Sequence, residues 1–234
     1  MNKQSLFKLA TPLLAIAVIS GCSDDDDDEE IVIEPLMRSY EVQVVNLTPN
    51  QPLSPVAALV HDSTIQAWML GSPAIVPLEV MAEGGDNSQL LAIEGLWASA
   101  SGAGVIMPGA SETMMLEFED SVDLNLTLAT MLVNTNDAFT GLNSWSIDQL
   151  AVGDSWSATT NVYDAGTEAN SETAATIPGP AAGGEGYAEA RDDVDRVYVH
   201  AGVISADDGL TDSALSFSHR FDNPAMKITI TRIE

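Results

Sequence analysis

The amino-acid sequence predicts a mostly β protein, an antiparallel β-sandwich with short helices in the connections between strands. Polar and apolar residues alternate along several short segments, which is the pattern of strands with one buried face. Clusters of turn-forming residues separate these segments. Hydrophobic residues occupy 45 % of the 234 positions, so the chain can bury the core of a sizeable domain, which a disordered chain cannot do.

The beginning of the chain has the pattern of an export signal. A basic start is followed by an apolar stretch over residues 13–19, which is too short to span a bilayer as a helix. The segment Ile19-Ser20-Gly21-Cys22 is similar to a bacterial lipobox, in which the cysteine is lipidated and becomes the first mature residue. We therefore predict a lipoprotein signal peptide over residues 1–21 and lipidation of Cys22. The alternative is an ordinary cleaved signal with a coincidental cysteine.

Cys22 is the only cysteine of the chain, which excludes internal disulfides, CxxC redox chemistry and cysteine-based zinc sites. Ser23 follows it, and a serine rather than an aspartate at this position resembles Gram-negative lipoproteins that continue to the outer membrane. We therefore expect an exported protein whose lipid anchor at Cys22 attaches it to the outer membrane, on the periplasmic side or at the cell surface.

Acidic residues dominate the chain, with 35 Asp and Glu against 8 Lys and Arg and a net charge of −27. This balance excludes the common mode of nucleic-acid binding, in which clustered basic side chains contact phosphates. Residues 24–30 are an unbroken run of carboxylates, whose mutual repulsion keeps a linker extended. The predicted organisation is a signal peptide at 1–21, a lipidated cysteine and acidic linker at 22–37, and a folded domain at 38–234.

The folded domain is predicted to begin with a strand, because Tyr40, Val42 and Val44 share one face while polar residues occupy the other. A later segment with helical character ends in Gly84-Gly85, which fits the end of a helix. In chain order, the first half is predicted to contain a strand over 40–44, a loop over 46–55, helical segments over 64–71 and 74–83, an ambiguous segment over 88–97 and a glycine-rich loop over 99–109.

The second half is predicted to contain most of the strands. Two alternating segments, 114–119 and 122–132, are expected to form a hairpin that turns near Asp120-Ser121. Residues 164–193 are poor in bulky apolar side chains and predict a long loop. Further strands are predicted over 155–163, 194–203, 214–221 and 225–233, the last with Met226, Ile228 and Ile230 facing inward.

Two polar loops at the ends of predicted strands carry carboxylates, at 134–141 and at 163–170. A hard cation such as calcium takes six to eight oxygen ligands at about 2.3–2.6 Å, and loops at one end of a sandwich can supply them from distant parts of the chain. A tight turn at Gly166 could point Asp164 and Glu168 at one ion. Acids are abundant throughout this chain, so spacing alone does not distinguish a metal site from ordinary acidic loops.

Four motifs together give the chain a resemblance to a known family: Val44-Val45-Asn46-Leu47-Thr48, Met81-Ala82-Glu83-Gly84-Gly85, Asn134-Thr135-Asn136-Asp137-Ala138-Phe139 and Tyr163-Asp164-Ala165-Gly166-Thr167-Glu168. They are similar to the spondin N-terminal domain, which occurs in animal matrix proteins and in bacterial exported proteins. The resemblance extends over residues 38–234. Each motif is short, and their specificity lies in the combination.

The resemblance implies a C2-like β-sandwich that holds a divalent cation, usually calcium, at one end; magnesium is the alternative. Matched position by position, the resemblance implies four metal ligands: Glu117, Asp137, Asp164 and Glu168. At the position of Glu168, many animal members have an aspartate. Glu117 matches a glutamate that the family places between two apolar residues of a strand. A gap of one residue would replace Glu117 by Glu119. The cysteines and thrombospondin repeats of the animal proteins are absent from these 234 residues, so their adhesive partners do not carry over.

Enzymatic motifs are missing from the sequence, which has neither the HExxH nor the GxSxG spacing. His61-Asp62 is interpreted as a structural pair at the end of a strand rather than as a catalytic dyad. The acid pairs Glu117/Glu119 and Asp207/Asp208 do not establish a glycosidase, whose function depends on the distance between two carboxyl groups in space. We therefore predict that the protein is not an enzyme.

The function predicted from these observations is that of an envelope-anchored lipoprotein with a calcium-binding spondin-type domain, which acts as a surface binding or adhesion module for a glycan or protein ligand. Two alternatives remain open, a structural envelope protein and a carbohydrate-binding module without catalysis. In the second alternative, tryptophans would stack on sugar rings; the candidates are Trp68, Trp97, Trp145 and Trp156.

Overall fold

The computed structural model describes residues 35–234, which fold into two antiparallel sheets with a shared core between them. This confirms the predicted mostly β class and the antiparallel β-sandwich. The signal peptide predicted at 1–21, the lipidation predicted at Cys22 and most of the predicted acidic linker lie outside the described residues. Among the described residues, no helix combines the length and the apolar character needed to cross a bilayer.

Ten strands and two α-helices make up the described part, numbered here in chain order. The strands are β1 (Met37–Asn46), β2 (Ala57–His61), β3 (Ala98–Ser101), β4 (Ser111–Glu119), β5 (Asn125–Met131), β6 (Ala138–Ser146), β7 (Ser155–Thr160), β8 (Val162–Asp164), β9 (Tyr198–Val199) and β10 (Met226–Arg232). The helices are α1 (Val76–Gly84) and α2 (Ser88–Leu91). One sheet has the order β4-β1-β10-β7 and the other the order β3-β2-β5-β6-β8-β9.

The four-stranded sheet follows the period-two pattern of its sequence. Tyr40, Val42 and Val44 of β1 are fully buried, as predicted, and lie opposite the other sheet. On β10, the predicted inward residues Met226 and Ile228 are also fully buried, and Val44 pairs with Ile228 in the antiparallel register. The opposite face of this sheet is polar and exposed, so one face of each strand drives the packing.

The six-stranded sheet is covered on both faces. Every residue of β5 is buried. Leu126 and Leu128 face the core between the sheets, whereas Ala129 and Met131 belong to a second core with the buried face of α1. The helix has a proline in its first turn and is followed by Gly85, which caps its C-terminus with φ +70°, so the helix predicted within 74–83 and its glycine stop are confirmed.

The predicted hairpin over 114–132 is wrong. Strand β4 pairs with β1 in one sheet, whereas β5 pairs with β2 and β6 in the other, so residues 120–124 cross from sheet to sheet. Alternation identifies the buried face of a strand, but it does not say which neighbour the strand pairs with. Thr127, a polar residue of β5, is buried, and its hydroxyl is paired with the ring of His61 at 2.8 Å.

Four further segments differ from the prediction. The predicted strand at 155–163 is two strands, β7 and β8, which lie in different sheets and meet at Asn161. The segment at 194–203 contains only the two residues of β9, and the segment at 214–221 has a 3₁₀ turn at Phe217–His219 and no strand. Residues 64–71 form turns, not a helix. In these segments the apolar side chains belong to loops rather than to strands or a helix. A side chain can be buried without its backbone pairing in a sheet.

Candidate functional site

Strands β6 and β8 bring the two predicted carboxylate loops together. Ala138, the first residue of β6, pairs with Asp164, the last residue of β8. Asp137 therefore lies directly beside the chain that leaves β8, and its carbonyl accepts a hydrogen bond from the amide of Ala165 at 3.2 Å. Both Asp137 and Asp164 are fully buried.

A tight turn at Gly166 adds Glu168 to this pair. The amide of Gly166 donates to Oδ1 of Asp164 at 2.8 Å, and Gly166 has φ +74°. The turn directs the amides of Thr167 and Glu168 at Oδ2 of Asp137, at 2.9 and 3.2 Å. The turn predicted at Gly166 is therefore present, and it places Glu168 next to Asp137.

We expect Gly166→Ala to destabilise the protein much more than Gly153→Ala. Both glycines have positive φ, which costs an L-residue about 1–2 kcal/mol. At Gly166 the added Cβ would also lie 2.1 Å from the carbonyl oxygen of Arg196, whereas at Gly153 it would meet nothing within 4 Å. Chemical denaturation of both variants measures the difference. Equal losses of stability would show that the turn is not held as tightly as its geometry indicates.

Glu83 is a fourth carboxylate of this site, and the sequence analysis did not assign it as a ligand. It lies in the last turn of α1, fully buried, and its Oε2 accepts a hydrogen bond from the amide of Ala188 at 2.9 Å. Burial raises the pKa of Glu168, and the charge of Glu83 raises it further. The signal that could have identified it is a glutamate inside a helix whose pattern predicts burial. We call Glu83, Asp137 and Glu168 the carboxylate cluster.

The structure does not bring Glu117 to this cluster. Glu117 lies on β4, in the four-stranded sheet, and its neighbours Leu116 and Phe118 point into the core. Its own side chain is therefore exposed on the outer face of the sandwich, away from the six-stranded sheet that carries Asp137. The same alternation exposes Glu119. An apolar-Glu-apolar step in a strand with one buried face places the glutamate in solvent, which is why neither residue reaches the site.

Each carboxylate of the cluster has one buried oxygen without a hydrogen-bond partner: Oε1 of Glu83, Oδ1 of Asp137 and Oε2 of Glu168. Asp164 differs, because its Oδ1 accepts from Gly166 and its Oδ2 accepts from the side-chain amide of Asn170 at 2.6 Å. Buried polar atoms in folded proteins are nearly always paired, so three unpaired oxygens in one cluster indicate that a proton or a cation belongs there.

The electrostatics of the cluster show the same need for a positive charge. Burial, followed by the charge of Asp164, raises the pKa of Asp137 to about 8. Burial also raises the pKa of Glu168 to about 8, with further contributions from the charges of Glu83, Asp137 and Asp192. For Glu83, burial raises the pKa and the hydrogen bond from Ala188 opposes it. At neutral pH the cluster therefore retains protons unless a cation replaces them.

The histidines make structural contacts. The ring of His200 accepts a hydrogen bond from the amide of Gly202 at Nδ1, 2.9 Å away, so the neutral ring carries its proton on Nε2, 3.0 Å from Oδ1 of Asn170. Burial lowers the pKa of His200, although the charge of Asp164 opposes this. His61 is buried and contacts the carbonyl of Asp62, not its carboxylate, at 2.7 Å. This geometry agrees with the structural interpretation of the His61-Asp62 pair.

Within residues 35–234, no group of three or more His, Cys, Asp or Glu side chains is arranged so that it could hold a metal ion. In the present side-chain positions, at most two carboxylates of the cluster could share one ion. The remaining ligands would be neutral oxygens such as the hydroxyl of Thr167, which lies 3.2 Å from Oδ2 of Asp137.

Comparison with models of known protein families gives no match for this chain, and comparison with curated proteins gives none either. The resemblance to the spondin N-terminal domain therefore stays a prediction from its four short motifs.

Proposed function

We propose that the protein is an outer-membrane lipoprotein whose β-sandwich, of the spondin type, holds a divalent cation at the carboxylate cluster. The observation that supports the cation site is the set of three buried, unpartnered oxygens on Glu83, Asp137 and Glu168. Calcium suits the site better than magnesium, because calcium accepts irregular sets of carboxylate, hydroxyl and backbone oxygens, whereas magnesium requires a near-ideal octahedron.

A cation would remove the main electrostatic cost of the cluster. Carboxylates that converge on one point repel each other by a few kcal/mol at an effective dielectric constant of about 20. A divalent ion between them replaces this repulsion with attraction. For all three carboxylates to reach one ion, at least one of their side chains has to change its rotamer, since their present positions do not form a ligand set. We propose Glu83 as the third ligand in place of Glu117, with Asp164 as a neighbouring charge.

The burial of the cluster favours a structural ion over one that bridges to a partner. Glu83 and Asp137 are 0 % exposed and Glu168 is 7 % exposed, so an ion among them would have no open face for a glycan or a membrane phosphate. The ion would instead hold the end of α1 against the turn at Gly166. A binding or adhesion role would then use the surface of a domain that calcium stabilises, and calcium-dependent pull-down of glycans or matrix proteins distinguishes it from a structural envelope role.

Calcium is expected to raise the unfolding midpoint of the wild-type protein. A ligand present at about 100 times its Kd stabilises the folded state by about 2.7 kcal/mol, which for a domain of this size is a shift of about 5–10 °C. Thermal unfolding in EDTA and in millimolar calcium or magnesium measures it. Equal midpoints in all three conditions would falsify the cation proposal.

Two glutamine variants test which glutamate is the ligand. Glu83→Gln should lose most of the calcium shift, since it removes a buried carboxylate of the cluster. Glu117→Gln should keep the full shift, because that side chain is exposed on the other sheet. If Glu117→Gln loses the shift and Glu83→Gln keeps it, the ligand assignment from the sequence is right and the assignment from the structure is wrong.

The tryptophans do not favour the carbohydrate-binding alternative. Trp68 is 6 % exposed and packs edge-on against Phe139, with ring centroids 5.2 Å apart. Trp145 and Trp156 stack on each other with ring centroids 4.1 Å apart, so each ring covers one face of the other. Trp97 alone among the four is markedly exposed, and a single exposed ring is ordinary on a protein surface.

A further inference from the structure

A cleft of about 280 Å³ lies where the chain crosses from β7 in one sheet to β8 in the other. The hydroxyls of Thr140 on β6 and Thr160 on β7 contact each other at 2.7 Å, so the two sheets are tied together at this crossing. We call this space the seam cleft. Its lining includes Trp68, Gly141, Asn143, Thr159, Asn161 and Tyr163. Its volume is close to the lower end of the range for ligand clefts, about 300–1,000 Å³.

The walls of the seam cleft are held by hydrogen bonds and ring packing. The side-chain amide of Asn143 donates to the carbonyl of Trp68 at 2.7 Å. The indole ring lies close over β6, since a Cβ added to Gly141 would lie 3.0 Å from its Cη2 atom. The ring of Tyr163 packs against Phe139, with ring centroids 5.6 Å apart. The cleft is therefore formed before any ligand arrives, which lowers the cost of binding.

The indole N–H of Trp68 lacks a hydrogen-bond acceptor. Trp68 is 6 % exposed, yet its N–H donates to no atom of residues 35–234. The N–H of a buried tryptophan usually finds a partner. This nitrogen is also not one of the enclosed unpaired atoms of the described residues, so it is open to solvent, and the cleft is the open space that Trp68 borders.

Three further polar groups of the lining are free to bind a ligand. In the part of the chain that the structure describes, the hydroxyls of Thr159 and Tyr163 and the side-chain amide of Asn161 have no protein partner. Together with the indole N–H, they offer both donors and acceptors over a small area.

The seam cleft is uncharged, although the chain has a net charge of −27. Among the described residues that line it, none is acidic or basic. Lys227 lies opposite Thr159 on β10, but it is not part of the lining. A phosphate or carboxylate would be repelled by the acidic chain and would find no basic partner in the cleft, and a cation would find no carboxylate. The cleft therefore suits an uncharged ligand.

The mixture of donors and acceptors favours a ligand rich in hydroxyl groups. Each sugar hydroxyl both donates and accepts, as do the free hydroxyls and the amide of the lining. A flat base would need an open aromatic face, which Trp68 does not offer, because its ring is almost fully covered.

We propose that the seam cleft binds one uncharged sugar residue of a glycan through hydrogen bonds to Trp68, Asn161 and Tyr163, without stacking on an indole ring. The proposal rests on the surface-binding role within the proposed function, because it names the ligand class of that role. It does not rest on the cation, since no residue of the carboxylate cluster lines the cleft.

NMR titrations of the full-length protein with isotopically labelled tryptophan, in EDTA, test this proposal. The probes are the methyl glycosides of glucose, galactose, mannose and N-acetylglucosamine, with uracil as an uncharged probe that is not a sugar. At least one glycoside should shift the indole N–H signal of Trp68 with a Kd of about 1 mM. The signal of Trp97, which is 49 % exposed and does not line the cleft, should stay in place.

Two variants and one matched control locate the bound sugar. Asn161→Ala and Tyr163→Phe should each weaken binding by about five- to tenfold, because each removes one hydrogen-bonding group. Asn161 is exposed, and Tyr163→Phe keeps the ring that packs against Phe139, so both variants should fold. Ser157→Ala removes an exposed hydroxyl of β7 outside the lining and should bind as tightly as the wild type.

The proposal is overturned if none of the four glycosides moves the Trp68 signal, or if Asn161→Ala and Tyr163→Phe bind as tightly as the wild type. A shift with uracil and with no glycoside overturns the ligand class. Because the titrations are run in EDTA, the two proposals can fail separately. Sugar binding by a protein whose unfolding midpoint is the same in EDTA and in calcium supports the seam cleft and removes the cation site, whereas a calcium shift without sugar binding does the reverse.

Discussion

The variant Asp137→Asn is expected to be more stable than the wild-type protein in EDTA and to gain nothing from calcium. Asp137 is fully buried, its Oδ1 has no partner, and burial beside Asp164 raises its pKa to about 8. An asparagine removes this charge, and its carbonyl oxygen can still accept the hydrogen bonds that Thr167 and Glu168 donate. At pH 8, well above the ordinary range of a carboxyl group, a pKa raised from about 4 to about 8 corresponds to a gain of up to about 5 kcal/mol for the asparagine variant, at about 1.4 kcal/mol per pKa unit.

Asp164→Asn is the matched control, and the expected sign is opposite. Both oxygens of Asp164 accept hydrogen bonds, from Gly166 and from Asn170, so an amide would face at least one donor with its own NH₂ group. Leaving such a buried group unsatisfied costs about 1–3 kcal/mol. Urea titrations in EDTA compare the two variants directly. If Asp137→Asn loses as much stability as Asp164→Asn, the unpaired oxygen of Asp137 is not a source of repulsion and the cation proposal loses its main support.

The calcium-free protein is expected to lose stability as the pH rises from 6.5 to 8.5. Asp137 and Glu168 have pKa values of about 8 in the folded state, whereas unfolded carboxyl groups titrate near about 4. Between these values the folded chain binds more protons than the unfolded chain, so its stability falls with rising pH. Two such groups give a loss of about 2–4 kcal/mol across this window.

The window begins at pH 6.5 because His200 acts in the opposite direction below it. Burial lowers the pKa of His200, so stability is also lost as the pH falls below the ordinary histidine value of about 6.5. With calcium bound, the ion replaces the protons of the cluster, and the loss above pH 6.5 should disappear. Thermal unfolding at four or five pH values, with and without calcium, measures both profiles. Two flat or two parallel profiles would contradict the idea that a cation and protons compete for the same oxygens.

The class of fold and the main strands could be predicted from the sequence because local patterns carry that information. Period-two alternation in β1 and β10 identified the residues that are now buried, and Gly84-Gly85 identified the end of α1. The pairing of strands could not be predicted in the same way. β4 and β5 follow each other closely, but the five residues between them cross from one sheet to the other, and no local pattern encodes that choice.

Part of the candidate site could be predicted, because three of its residues lie in two short motifs of the sequence. Asp137, Asp164 and Glu168 come together because β6 and β8 pair and Gly166 turns the chain. Glu83 was missed because its approach depends on how α1 packs on the six-stranded sheet, which sequence spacing does not report. Glu117 was assigned through a motif alone, although the alternation of its own strand already predicted that it faces solvent.

The two ends of the sandwich have different neighbours. Strand β1 enters at Met37, beside the chain terminus at Glu234, whose carbonyl oxygen accepts a bond from the amide of Ser39. Nine residues later, at Asn46, the strand reaches the opposite end. There the side-chain amide of Asn46 donates to the carbonyl of Gln51, and the side-chain carbonyl of Gln51 accepts a hydrogen bond from the amide of Asn134. At about 3.3 Å per residue, the two ends are about 30 Å apart. The loop at Asn134 therefore lies at the end of the sandwich opposite to Met37 and Glu234.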